Sequence, residues 1–141
     1  MMDVAIIGGG MVGLTLACAL GGTRLNVVVI DPEENDPELQ WQQLLSLSQQ
    51  NVDPRVSALT LQSEQMLRSL GAWEAMAAVR VSPYRHMHVW DGEGTASIQF
   101  NAADMHQPHL GHIVENRVTQ RALCRVAAGH QNVQLMHGSR L

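Results

Sequence analysis

The chain has 141 residues, 45% hydrophobic and 16% charged, the balance of one globular domain rather than of a disordered segment. Its net charge of -4, pI near 5.9 and nine scattered Lys and Arg form no basic stripe, so no nucleic-acid partner is expected. Cys18 and Cys124 are far apart, lack zinc spacing and are expected as buried free thiols. The acid at Asp3 and the early glycines exclude a basic-then-apolar signal peptide and a span of ~20 apolar residues, so a cytoplasmic location is expected.

Asp3 to Ile7 is a brief, β-branched apolar run ending at glycine, which predicts a buried strand. Met11 to Leu20 follows as a helix, with Val12, Leu16, Ala19 and Leu20 at helical spacing, small Ala17 and Cys18 for close packing, and Gly21-Gly22 as the stop. Leu25 to Ile30 is apolar on both faces, as a central parallel strand requires. Residues 32–54 turn acidic, then Gln- and Ser-rich, and predict a variable surface loop with at most one helical turn around Trp41 to Leu45.

Asp53-Pro54 offers a cap followed by proline, and Val56, Leu59, Ser63, Met66, Leu67 and Leu70 predict a helix from there to Gly71. Trp73 to Val79 predicts a second helix. Over 86–101 the period changes to two around Asp91-Gly92, a β-hairpin. "HIVEN" predicts a strand end, Arg117 to Ala128 a helix stopped by Gly129, and Asn132 to Met136 a last strand. No internal repeat is present.

The stretch with chemical content is Gly8-x-Gly10-x-x-Gly13. It leaves a predicted strand, opens a predicted helix, and is followed by a second strand ending in Asp31, eighteen positions after Gly13 and close to the ~20 of a ribose-binding acid. Gly8 permits the sharp turn, Gly10 lets backbone approach a pyrophosphate, and Gly13 lets helix and sheet pack closely. The helix N-terminus, at Met11 and Val12, brings N–H groups and the positive end of a dipole to the phosphates. A carboxylate at Asp31 accepts ribose hydroxyls and repels a 2′-phosphate, so FAD or NAD fits better than NADP. The expected fold class is α/β: a Rossmann-like, dinucleotide-binding βαβ core with an inserted β-hairpin and an incomplete sheet.

"DVAIIGGGMVGLTLACAL", "RVSALTLQSEQMLRSLGAW", "MHVWD" and "LGHIVENRVTQRAL" stand in this order. Together they resemble the N-terminal part of the FAD-dependent hydroxylases of ubiquinone biosynthesis, in the 2-polyprenylphenol hydroxylase branch of the para-hydroxybenzoate hydroxylase-like monooxygenases. The resemblance runs from Asp3 to the end of the chain and is poor over 35–52. It implies that Gly8, Gly10, Met11, Val12 and Gly13 bind the ADP part of FAD, with Asp31 on the ribose. It also implies a flavin contact at Arg55, which opens "RVSAL". A further polar contact falls on Glu115 or Asn116, although Asn116 is equally explained as a helix cap. At a helix start an unliganded arginine would oppose the dipole, which favours the functional role for Arg55.

The resemblance further implies NAD(P)H as co-substrate and a polyprenylated phenol as the small-molecule substrate. It implies, too, a peripheral association with the inner face of the membrane or with a ubiquinone-biosynthesis complex. The family's later Asp-Gly and Gly-Asp motifs and its substrate domain are not in the 141 residues, so the chain is expected to be an N-terminal part of the FAD-binding domain. A catalytically silent nucleotide-binding fragment and an NAD-dependent dehydrogenase domain stay open as alternatives. No residue is named as catalytic. His86-x-His88 reads as a surface pair, and His106, His109 and His112 are not assigned to a metal.

Overall fold

The computed structural model describes residues 1–33, 36–47 and 51–139. In chain order these form β1 (Val4–Ile7), α1 (Met11–Leu20), β2 (Val27–Ile30), α2 (Pro37–Ser46), β3 (Val56–Thr60) and α3 (Leu61–Ser69). They continue with α4 (Trp73–Val79), β4 (Ser82–Tyr84), β5 (His86–Trp90), β6 (Ser97–Asn101), a 3-10 turn (Ala102–Met105), β7 (Gly111–Glu115), α5 (Asn116–Ala128) and β8 (Val133–Met136).

The strands β1, β2 and β8 make a parallel sheet with β2 in the middle, paired Val4 to Val27 on one side and Val27 to Val133 on the other. As the two-faced apolar run of β2 requires, Val27, Val28 and Val29 are all buried. The first strand is less enclosed than its sequence suggests: at the sheet edge, Ile7 is exposed. Asn132 ties the sheet to the end of α1. Its Nδ2 donates to Leu20 O (2.9 Å) and Leu25 O (2.8 Å), and its Oδ1 accepts from Gly22 N–H (2.8 Å).

Helices α1 and α5 pack on each other, and their buried faces form the centre of the core. The buried face of α1 is Leu14, Ala17 and Cys18, whereas Val12 and Leu16 of the expected apolar stripe are exposed. Leu14 joins Val118, Ala122 and Leu123 in one core cluster, the leucines and the valine each contributing ~1.5–3 kcal/mol by burial. Both cysteines are free and buried, as expected, and burial pushes each thiol up to about 11.

Two expectations are corrected. Over 37–46 the surface loop is a ten-residue helix, α2. Asp36 Oδ1 caps it by accepting from Leu39 N–H (2.8 Å), Pro37 sits in its first turn, and Gln42 bonds Glu38 one turn back (2.8 Å). Trp41 and Leu44 are buried against α5, with the Arg125 guanidinium 5.0 Å from the Trp41 ring centre. Residues 34, 35 and 48–50 of that loop lie outside the described residues, as do 140 and 141.

The second correction concerns 56–60, which is strand β3 rather than the start of a helix. It pairs antiparallel with β7, Val56 opposite Glu115 and Thr60 opposite Gly111, and β4 pairs with the other edge of β7. The helix begins only at Leu61, where the Thr60 hydroxyl accepts from Ser63 N–H (3.2 Å). Asp53 does receive a backbone N–H, but from Arg55 two residues on (2.9 Å), which is a turn and not a helix cap. The hairpin β5/β6 forms as expected, with His86 and His88 exposed on it.

Candidate functional site

The glycine turn between β1 and α1 is held from three sides. Gly8 takes φ +103, a conformation side chains disfavour, and donates its N–H to Ile30 O (2.9 Å). Gly9 N–H donates to Asp31 Oδ2 (2.5 Å), while Gly9 O accepts from Gln120 Nε2 of α5 (2.9 Å). A Cβ on Gly13 would stand 2.1 Å from Gly8 O and 3.2 Å from Ile6 Cγ2, so this glycine is required by helix–strand packing. Gly10 differs: its backbone (φ -75, ψ 178) suits any residue, and a Cβ there would meet nothing within 4 Å. No side chain caps α1 at this point. The protein's own packing does not require glycine at Gly10, but close approach of a ligand to the backbone would.

That open side is the wall of a cavity of about 480 Å³. Gly10 and Met11 line it from α1; Asn116, Arg117, Gln120 and Arg121 from the first turns of α5; Asp53 and Arg55 from the loop before β3. Gln40 and Glu33 close the rim. Two helix N-termini and three arginines thus line one space, together with the acids Asp53 and Glu33. Burial, and after it the neighbouring Arg117, disfavours the charged form of Arg121 and lowers its pKa. An anion between the two guanidinium groups would reverse that penalty.

Glu115 anchors this arrangement from behind. Its side chain is 4% exposed; Oε1 pairs with Arg80 Nε (2.9 Å), and Oε2 accepts from Arg117 Nε (2.8 Å) and from Asp53 N–H (2.8 Å). Arg117 also donates to Asn51 O (2.5 Å), so the loop before β3 and the start of α5 are tied together. Burial by itself would raise the Glu115 pKa, but the Asp53 N–H and the two arginines outweigh it and hold the carboxyl below its usual range.

The chain is 38% identical over 133 residues to the 3-demethoxyubiquinol 3-hydroxylase of Escherichia coli, covering 94% of this chain and 32% of that protein. It is 36% identical to the mitochondrial ubiquinone biosynthesis monooxygenase of Xenopus tropicalis, covering 98% of this chain and 29% of that one. The chain is a homologue of the ubiquinone-biosynthesis hydroxylases. It spans about a third of the length of these relatives. Among solved structures, PqsL of Pseudomonas aeruginosa, a probable FAD-dependent monooxygenase, superposes with a TM-score of 0.65 at 17% identity, over 99% of this chain and 33% of that one. The fold of this hydroxylase homologue is therefore that of a part of such an enzyme. No family model matches the chain. Among the described residues no helix is long and apolar enough to cross a membrane.

Of the residues singled out in the sequence, Gly10, Met11 and Arg55 line the cavity, and Gly8 and Gly13 build the turn beneath it. Arg55 does not stand at a helix start, so the dipole argument for it falls; its side chain is 82% exposed and 3.6 Å from Asp53 Oδ1. Asp31 lies behind the rim, its Oδ2 on Gly9 N–H and its Oδ1 on Glu33 N–H (2.9 Å). Val12 is 85% exposed and lines a separate apolar groove between α1 and α3. Glu115 does not line the cavity and acts on it through Arg117 and Asp53, which do. Asn116 is the first residue of α5 and accepts from the Ser57 hydroxyl (2.7 Å), while Glu115 holds the cap position. Sequence reasoning missed Arg117, Gln120 and Arg121. Their spacing of three and four on a predicted helix start does place them on one face, but nothing in the sequence shows that the face meets the glycine turn.

Proposed function

We propose that the chain is the FAD-binding part of an NAD(P)H-dependent flavoprotein monooxygenase that hydroxylates a polyprenylated phenol in ubiquinone biosynthesis. The observation that carries this is the unfilled Cβ position of Gly10 at an uncapped helix start, facing a cavity ringed by Arg55, Arg117 and Arg121. A pyrophosphate is the group these residues suit: a dianion small enough to reach backbone N–H groups and broad enough to meet two guanidinium groups. The β1-α1-β2 unit acts in this proposal as a Rossmann-like cradle.

Gly10 and Met11 would hold the phosphates by backbone N–H, Arg117 and Arg121 would neutralise them, and Asp31 would accept from the adenosine ribose with its remaining lone pairs. Gln120, through Gly9 O, keeps the turn in the shape that aims those N–H groups. FAD, when bound, supplies the oxygen-activating redox chemistry, and the protein supplies binding, orientation and exclusion of water. The names of the relatives, which include a demethoxyubiquinol hydroxylase, support the choice of substrate class, and the FAD-dependent monooxygenase among the structures of like fold supports flavin over nicotinamide. A polyprenylated substrate would bring the protein to a membrane surface.

The test is a titration of the purified protein with FAD, NAD and NADP in parallel, followed by calorimetry. FAD is expected to bind at least on the order of tenfold more tightly than either nicotinamide nucleotide, a difference of ~1.4 kcal/mol. Tighter binding of NAD, or no binding of any of the three, overturns the proposal.

A further inference from the structure

We propose that Glu64, His109 and His112 form a binding site for a divalent first-row cation of the zinc type, at the start of β7 and separate from the dinucleotide cavity. Glu64 comes from α3, His112 from β7 and His109 from the loop before it, and one ligand atom of each lies within 4.8 Å of the others. Glu64 Oε2 stands 3.1 Å from His112 Nδ1 and 3.3 Å from His109 Nε2. Both separations match the edge of a tetrahedron whose bonds are ~2.0–2.1 Å long, the length of zinc bonds to imidazole and carboxylate.

The hydrogen bonding around the cluster leaves a place for a cation. His112 is 9% exposed, and its Nδ1, though within ion-pair distance of Glu64, is out of hydrogen-bonding geometry and has no hydrogen-bond partner among the described residues. A buried ring nitrogen beside a carboxylate, but not hydrogen-bonded to it, is what a metal ion between the two would account for. The groups behind the ligands are already fixed. Arg68 donates from Nη2 (2.9 Å) and Nε (3.1 Å) to Glu64 Oε1, which turns Oε2 toward the histidines. The edge of the Trp73–His112 contact, 5.1 Å between ring centres, sets the imidazole.

The positive charge of Arg68 is met on its far side by Glu74, so the Glu64–Arg68–Glu74 chain carries one net negative charge before a cation enters. His109, 20% exposed, is the least buried of the three, giving a path for entry and a fourth position for water. The cation would clamp α3 to β7. His106, third in the sequence spacing, sits outside on an exposed turn.

The test uses purified protein stripped with EDTA, checked for fold by circular dichroism and titrated with Zn²⁺ against a chromophoric chelator. Stoichiometric binding with a dissociation constant in the micromolar range or below is expected, with a melting temperature raised by Zn²⁺. His109→Gln, at the least buried of the three ligands, is expected to weaken binding on the order of tenfold or more. The double variant His86→Gln/His88→Gln is expected to bind as the parent does. The proposal is overturned by absence of stoichiometric binding, by a His109→Gln variant that binds as the parent, or by loss of binding in the hairpin variant; the cluster would then be a carboxylate–imidazole contact joining two elements.

Discussion

Replacing Gly10 with valine separates ligand binding from folding, because the structure gives the new side chain no protein atom to strike within 4 Å and the backbone there is already extended. The cost to the fold is that of a poorer helix cap, at most about 1 kcal/mol. The cost to a bound pyrophosphate is larger. If the side chain displaces the phosphate from two N–H groups, each charge-assisted bond at ~1.5 kcal/mol, the loss is ~3 kcal/mol, or roughly 100-fold in affinity. Gly13→Ala is the opposite case, since its Cβ would lie 2.1 Å from a backbone oxygen and the helix would have to leave the strand. Overpacking of that kind costs about 1–3 kcal/mol or more. Thermal melts without FAD, together with FAD titrations followed by flavin fluorescence, distinguish the two. Gly10→Val should melt near the parent and lose FAD; Gly13→Ala should melt several degrees lower. A Gly10→Val protein that keeps FAD affinity within about threefold, or that loses as much stability as Gly13→Ala, would refute the reasoning.

Arg121→Ala should weaken FAD roughly tenfold while leaving the melting temperature unchanged or slightly higher, because burial and Arg117 already disfavour its charge; an unchanged FAD affinity counts against a phosphate role. Glu115→Gln should cost about 3 kcal/mol, since it removes the buried carboxylate charge that pairs with both Arg80 and Arg117. The pH dependence follows from the sign of the shift: the folded pKa of Glu115 is depressed, so its contribution is present above the unfolded value of ~4.3 and is lost as pH falls through the folded pKa. Melts from neutral pH down to about pH 3 should therefore show a shallower acid limb for Glu115→Gln than for the parent, and parallel limbs would contradict the ion-pair account. Trp41→Ala should cost about 3–5 kcal/mol in urea denaturation if α2 is docked on the core, against less than ~0.5 kcal/mol for a residue on a surface loop.

Much of the fold was legible because its signals were local. The β1-turn-α1-β2 order, the hairpin over 86–101 and the helix after "HIVEN" each carry periodicity and punctuation within a dozen residues. Two Asp-Pro pairs mark where that ceases. Asp36-Pro37 and Asp53-Pro54 present the same cap-then-proline sequence, yet the first caps α2 and the second leads into β3. The difference is in what each segment packs against: Trp41 and Leu44 find α5, whereas Val56 to Thr60 find an open edge of β7, and that pairing overrides the helical spacing of Val56, Leu59 and Ser63.

The sequence by itself determined the glycine turn, its position between strand and helix, and the acid at the end of the second strand, because those demands are made by neighbouring residues on one another. Only the tertiary structure decided which groups surround the turn. Gln120 reaches Gly9 across 111 positions, Glu115 meets Asp53 across 62, and Glu64 meets His109 across 45. Contacts over such separations depend on how α5, β3 and α3 are stacked around β7, and no local pattern in the chain encodes that stacking.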